Sequence, residues 1–186
     1  MSELLNQESK SPPESSPEST TPTRSKFDTR RIAVAGLIAA LYTVLTVFLP
    51  VPQYSGVQLR VAEAMTVLPF LFPEAILGLT VGCFLANLFS PFLLDCIIGA
   101  AATLIAAVWT SRIKNQYLAP LPPVICNAVM IGAEIAYFSA QSGENFIRAY
   151  IFNAFTVGLG ELIACYALGL PLLKFLLKTW PEKFKN

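Results

Sequence analysis

Leu59-Arg-Val-Ala-Glu-Ala-Met-Thr-Val-Leu-Pro-Phe-Leu-Phe72 decides how often this chain crosses a membrane. Wound as an α-helix, these fourteen residues rise only about 21 Å, short of the roughly 30 Å hydrocarbon core. The runs around it are longer or cleaner: Ile32–Leu49, Ala75–Phe89, Phe92–Ser111, Leu121–Ser139 and Ile147–Leu170. Helix punctuation separates them. Pro50 and Pro52 close the first, Pro69 and Pro73 the second, and Ser90-Pro91 divides the third from the fourth. Arg112, Lys114 and Asn115 end the fourth, and Gln141-Ser-Gly-Glu-Asn145 ends the fifth. Pro120, Pro122 and Pro123 open the fifth, where first-turn prolines are tolerated, and Pro171 stops or kinks the sixth.

Charge arbitrates the short run. Arg24, Lys26, Arg30 and Arg31 precede the first run, and Lys174, Lys178, Lys183 and Lys185 follow the last. By the positive-inside rule both termini are cytoplasmic, which requires an even number of crossings. Six crossings also place Arg112 and Lys114 inside and leave Pro50–Gln58, free of Lys and Arg, outside. The expectation is an all-α, six-helix transmembrane bundle whose second helix is short and buried among its neighbours.

Composition agrees. The chain has 186 residues, 54% hydrophobic and 13% charged, where a soluble domain carries about 25% charge. A net charge of +1 provides no basic field for nucleic acid. With no histidine there is no His-dependent catalysis or His-ligated zinc, and no GxxxxGK[ST] stretch supplies a P-loop. Cys83, Cys96, Cys126 and Cys165 lie in apolar runs without a CxxC pair and read as reduced, buried hydrophobes. No cofactor, metal or enzymatic activity is expected. Residues 1–28 are rich in Ser, Pro, Glu and Thr and read as a disordered cytoplasmic tail. Residues 29–178 form the membrane domain, and 179–186 a second cytoplasmic tail.

Within membrane depth lie Arg60, Glu63, Asn87, Asp95, Asn127, Glu134, Asn153 and Glu161. An ionised side chain at a helix centre costs about 2.5–3.5 kcal/mol on insertion scales, so such groups face a cavity or a partner. Arg60 and Glu63 stand three apart and are candidates for an ion pair. Asn127 and Glu134, seven apart, share a helical face, and Asn153 and Glu161 lie broadly on one side. Structural readings stand beside the functional one: an ion pair at the mouth, amides as interhelical hydrogen-bond glue, and acids hydrated near an interface. Acids and amides on five helices together point to a polar cavity for a small hydrogen-bond donor. Tyr42, Tyr54, Phe70, Phe84, Phe89, Tyr137 and Phe152 are candidates to stack on a planar ligand, or else face lipid. The first helix carries Ala35-xxx-Ala39 and Gly36-xxx-Ala40, spacing that admits another helix closely. On pattern alone, packing against a sibling helix is the simpler reading.

Gln58-Leu-Arg-Val-Ala-Glu-Ala-Met-Thr-Val-Leu-Pro69 resembles the signature of the QueT-type queuosine-precursor transporters, substrate-binding (S) components of energy-coupling factor (ECF) transporters. Gly82-Cys-Phe-Leu-Ala-Asn87, Leu118-Ala-Pro-Leu-Pro-Pro-Val-Ile-Cys-Asn127, Asp95 with Gly99 and Ala102-Thr103, and the stretch from Gly160-Glu161 to Leu173 look similar as well. The resemblance spans about residues 29 to 176; the Ser/Pro/Glu leader departs from it. It implies six helices, a substrate bound near the outer face of a bacterial plasma membrane, and a first loop, here about Pro50–Gln58, closing over it. It also implies a coupling subunit contacting the first helix through Ala35, Gly36, Ala39 and Ala40, and two ATPase subunits that drive release inward. The implied ligands are 7-deazaguanine bases such as preQ1 or preQ0. Their guanine-like edge presents adjacent N–H donors that a carboxylate accepts as a fork. On that reading Glu134 or Glu63 takes the edge, Glu161 or Asp95 takes an aminomethyl ammonium, and Asn87, Asn127 and Asn153 supply the remaining bonds, with Arg60 beside them. Other readings stay open: a different vitamin such as thiamine or riboflavin on the same architecture, a membrane-embedded carboxylate hydrolase, or a solitary secondary carrier.

Overall fold

α1 (Thr29–Phe48) is an apolar helix of 20 residues, with no charge after Arg31 and no proline inside it. The computed structural model describes residues 29–49, 60–90 and 93–179. The expected tails at 1–28 and beyond 179, the loop Pro50–Gln58 and Tyr54 lie outside the described residues. After α1 come a 3-10 helix (Val61–Phe70), α2 (Glu74–Asn87), α3 (Leu93–Arg112), α4 (Leu121–Gln141) and α5 (Phe146–Ile163). A π-helical turn (Ala164–Gly169) joins α5 to α6 (Leu170–Thr179), so the last rod is continuous over Phe146–Thr179. Among the described residues there are thus six rods and no strand, four of them long and apolar enough to span a bilayer.

The short second rod is where expectation and structure meet most closely. Ala62 through Pro69 are all buried, as a segment enclosed by its neighbours must be. Its winding differs from the α-helix expected. A 3-10 helix rises about 2.0 Å per residue against 1.5 Å, so ten residues cover about 20 Å rather than 15 Å. The tighter winding lets a short sequence reach further across the bundle. The Glu63 N–H donates to the Arg60 carbonyl at 3.1 Å, the i to i−3 bond of that geometry.

Pro171 neither stops nor breaks the sixth rod. The π turn lies just before it, with the Leu170 N–H donating to the Cys165 carbonyl, one residue wider than an α turn. The wider turn absorbs the clash a proline ring makes with the preceding turn, and the helix continues to Thr179. At the start of α4, Pro122 and Pro123 occupy the first turn, where the missing N–H groups have no helical partner to lose.

α1 and α2 run parallel. Arg31 pairs with Glu74 at 3.1 Å; one turn on, a Cβ built at Gly78 would sit 2.7 Å from the Ala35 carbonyl oxygen, and one at Gly82 2.9 Å from that of Ala39. Only glycine permits this approach, and Thr43 Oγ1 uses it to donate to the Gly82 carbonyl at 3.1 Å. The Ala35/Ala39 face is therefore occupied inside the protein, as simple helix packing predicts. Gly36 and Ala40 remain exposed.

The rods set one basic end against one neutral end. Arg31 and Glu74 open α1 and α2, Arg112 closes α3, and Lys174 lies 4.9 Å over the Tyr117 ring beside the start of α4. The opposite end carries the α4–α5 turn, with Gly143 at φ +96° and Asn145 capping α5 by accepting from the Ile147 and Arg148 N–H groups. The outer surface is apolar, with Leu37, Phe89, Leu93 and Phe155 widely exposed.

Candidate functional site

Each of the six rods contributes a polar side chain to the interior, and in the apolar bundle several of these groups are each other's partners. Tyr42 on α1 is fully buried and donates its hydroxyl to Glu63 Oε1 at 2.6 Å. Glu63, 1% exposed, comes from the 3-10 helix, whose Thr66 donates back to the Glu63 carbonyl at 2.6 Å. Asn127 on α4 donates to Glu161 Oε1 on α5 at 2.7 Å. The Cys165 thiol, one turn beyond Glu161, points at its Oε2 at 3.7 Å and at the Glu63 carbonyl at 3.6 Å. The π turn thus links the two acids through one sulfur.

Closer to the neutral end stands a second group. Asn87, at the end of α2, donates to the Asp95 carbonyl at 2.7 Å. Gly99 makes room for it, since a Cβ there would lie 2.4 Å from Asn87 Nδ2. The Asp95 carboxylate, half-buried in the first turn of α3, accepts from Ser90. Glu134, on α4, lies within electrostatic range of Asp95. Seven residues, about 10 Å along the helix, separate Glu134 from Asn127.

The two groups differ in hydrogen bonding. Glu161 has the Asn127 amide on Oε1 and, near Oε2, the Cys165 thiol that it shares with the Glu63 carbonyl. Among the described residues, Glu63 has a donor on Oε1 and none on Oε2, and Glu134, 5% exposed, has none on either oxygen. A buried acceptor without a donor is costly and rare in native proteins, so each instance asks for a functional account.

Arg60 bridges the groups by its field. It lies within electrostatic range of Tyr42, Glu63, Cys83 and Glu161, and of Glu134. The Arg60–Glu63 ion pair suggested by their spacing is not formed, because the Glu63 carboxylate turns toward Tyr42 instead. Asn153 does not join the cluster through a hydrogen bond; it donates to the Ala149 carbonyl of its own helix at 2.8 Å and stays half-buried. Of the aromatic candidates, Phe84, Phe89, Tyr137 and Phe152 are exposed on the outer surface, and Phe70 packs with Val67 and Leu173. Among the described candidates, Tyr42 reaches the polar interior.

The sequence alone places Tyr42 among stacking candidates and Cys165 among inert thiols. Their hydrogen-bonding roles come from the crossing of α1 and of the π turn with the 3-10 helix, which no local pattern announces. Chemically, the assembled site offers free carboxylate oxygens at Glu134 and Glu63, a fixed amide at Asn127 and one guanidinium. Such a set is chemically complementary to N–H donors. No cluster of three or more Cys, Asp or Glu side chains fit to hold a metal occurs among the described residues.

The family described as QueT transporter matches residues 32–178 of this chain. The curated Queuosine precursor transporter QueT of Lactococcus lactis subsp. cremoris (strain MG1363) is 33% identical over 98 residues, covering 50% of this chain and 58% of that relative. No solved structure matches the chain.

Proposed function

The chain belongs to the QueT transporter family and is a membrane protein, and from that premise we propose that it is the substrate-binding subunit of an ATP-driven importer of the ECF type. Its substrate on this reading is a queuosine precursor of the 7-deazaguanine class. The observation that carries the reading is Glu134, a carboxylate buried in an apolar bundle with neither oxygen given a donor by the described residues. A ligand with adjacent N–H groups supplies those donors as a fork. Glu63 Oε2 adds a third free acceptor. Asn87 and Asn127 border the site, while Glu161, engaged by Asn127 and by the shared Cys165 thiol, serves to hold its shape.

Orientation follows from the basic end. With Arg30, Arg31, Arg112, Lys114, Lys174 and Lys178 on the cytoplasmic side of the plasma membrane, both termini are cytoplasmic, and Asp95 and Glu134 lie in the outer half, where an importer captures its substrate. The chain has no P-loop, so the energy comes from two ATPase partners acting through a coupling subunit. Gly36 and Ala40, the exposed half of the small-residue stripe on α1, are the positions offered to that subunit.

The test is ligand identity followed by binding. Mass spectrometry of protein purified from cells supplied with 7-deazaguanines finds one of them bound. Glu134→Gln and Glu63→Gln each weaken its binding more than tenfold, or about 1.4 kcal/mol. A flavin or thiazolium mass rejects the substrate, and normal binding by both variants rejects the site.

A further inference from the structure

Two windings that depart from the α-helix in opposite senses pack against each other inside the bundle. The 3-10 segment is overwound for ten residues, where such runs rarely exceed three or four. The π turn is underwound. An overwound run of that length needs support from outside itself, and the π turn gives it at two points. Cys165 Sγ lies 3.6 Å from the Glu63 carbonyl oxygen and 3.6 Å from Thr66 Oγ1, which itself donates to that carbonyl at 2.6 Å. One turn on, Gly169 comes so close that a Cβ there would sit 3.1 Å from both the Ala64 carbonyl oxygen and Val67 Cγ1. Ala164, Cys165 and Gly169 are all buried.

The winding decides where Glu63 points. Side chains three apart eclipse in a 3-10 helix, so Glu63 and Thr66 stand in one row. Three residues turn a full circle there but only about 300° in an α-helix, so rewinding would swing the two apart by about 60°. Glu63 is held against this from both ends: Tyr42 donates to its Oε1 at 2.6 Å, and the Cys165 thiol reaches its main chain. What these contacts leave is Oε2, on a residue 1% exposed and without a donor among the described residues. Resting on the proposed function, in which that oxygen accepts from the substrate, we infer that Cys165 is a positioning residue of the binding site. Its thiol, set in place by the π turn, keeps the first turn of the 3-10 helix wound so that Glu63 Oε2 faces the ligand. Glu161 Oε2, at 3.7 Å, steadies the sulfur from its own helix.

The experiment measures binding of 7-aminomethyl-7-deazaguanine and 7-cyano-7-deazaguanine to the purified full chain in lipid nanodiscs. The proteins are the wild type, Cys165→Ala, Cys165→Ser, Glu63→Gln and the variant carrying both Cys165→Ala and Glu63→Gln. For the ligand that the wild type binds more tightly, Cys165→Ala is expected to weaken binding about fivefold, the worth of one ordinary hydrogen bond. Cys165→Ser, which keeps a donor in place, stays within about twofold of the wild type. In the Glu63→Gln background Cys165→Ala costs less than about twofold, because the group it positions is already lost. Should Cys165→Ala fail to fold, Thr66→Val takes its place in the same comparison. An equal factor in both backgrounds marks a merely structural role and overturns the inference. So does wild-type affinity in Cys165→Ala or in Glu63→Gln, or a serine variant as weak as the alanine one. Each of these leaves the proposed function standing on Glu134. If the wild type binds neither ligand, the proposed function falls and the inference with it.

Discussion

Glu161 and Glu134 are buried to nearly the same degree, 4% and 5% exposed, in one bundle of helices. One has a donor within reach of each oxygen, an amide and a thiol shared with the Glu63 carbonyl, and the other has none among the described residues. Depth in the bundle therefore does not predict how well a buried acid is hydrogen-bonded; the crossing of neighbouring helices does. Glu161 ties α5 to α4 through Asn127 and reaches the 3-10 helix through Cys165. Glu134 lies within electrostatic range of Asp95 and has no donor among the described residues. Glu63 falls between them, with one oxygen used by Tyr42 and one free.

Replacing both acids by leucine is the strongest way to break this contrast. Glu161→Leu strips the acceptor from Asn127 and Cys165 and is expected to lower stability by about 1–3 kcal/mol. Glu134→Leu removes an acceptor that nothing serves, and leaves thermal unfolding in detergent unchanged or shifted upward. Equal losses in the two variants erase the distinction. Tyr42→Phe sharpens the intermediate case. It leaves both Glu63 oxygens without a donor and is expected to cost about 1–2 kcal/mol, read by the same unfolding measurement. A cost as large as that of Glu161→Leu would place Glu63 with the structural acids. Arg31→Ala sets the floor. Its ion pair with Glu74 lies at the basic end, with Arg31 65% exposed, and its loss is expected to cost under about 0.5 kcal/mol. A larger loss would show that the parallel α1–α2 contact depends on charge as well as on Gly78 and Gly82.

Hydropathy and charge were enough to read the membrane class, the six rods and the buried position of the short second one, because a bilayer punishes every misplaced charge and unpaired backbone group in a way local sequence must already answer. The same cost made Glu63, Asn87, Asp95, Asn127, Glu134 and Glu161 legible as residues of consequence: they are expensive wherever the helices turn. Which of them are partners was decided in three dimensions. Whether a carboxylate meets a hydroxyl, an amide or another carboxylate depends on crossings between segments far apart in the chain, such as Tyr42 with Glu63 and Asn127 with Glu161. The same holds for Ala35 and Ala39, whose small side chains announced a close helix contact but not that α2 makes it. A hydrogen bond is directional and short-ranged, so its pairing is settled only once the rods are packed, whereas burial of apolar surface needs no particular partner and can be read from the string of residues itself.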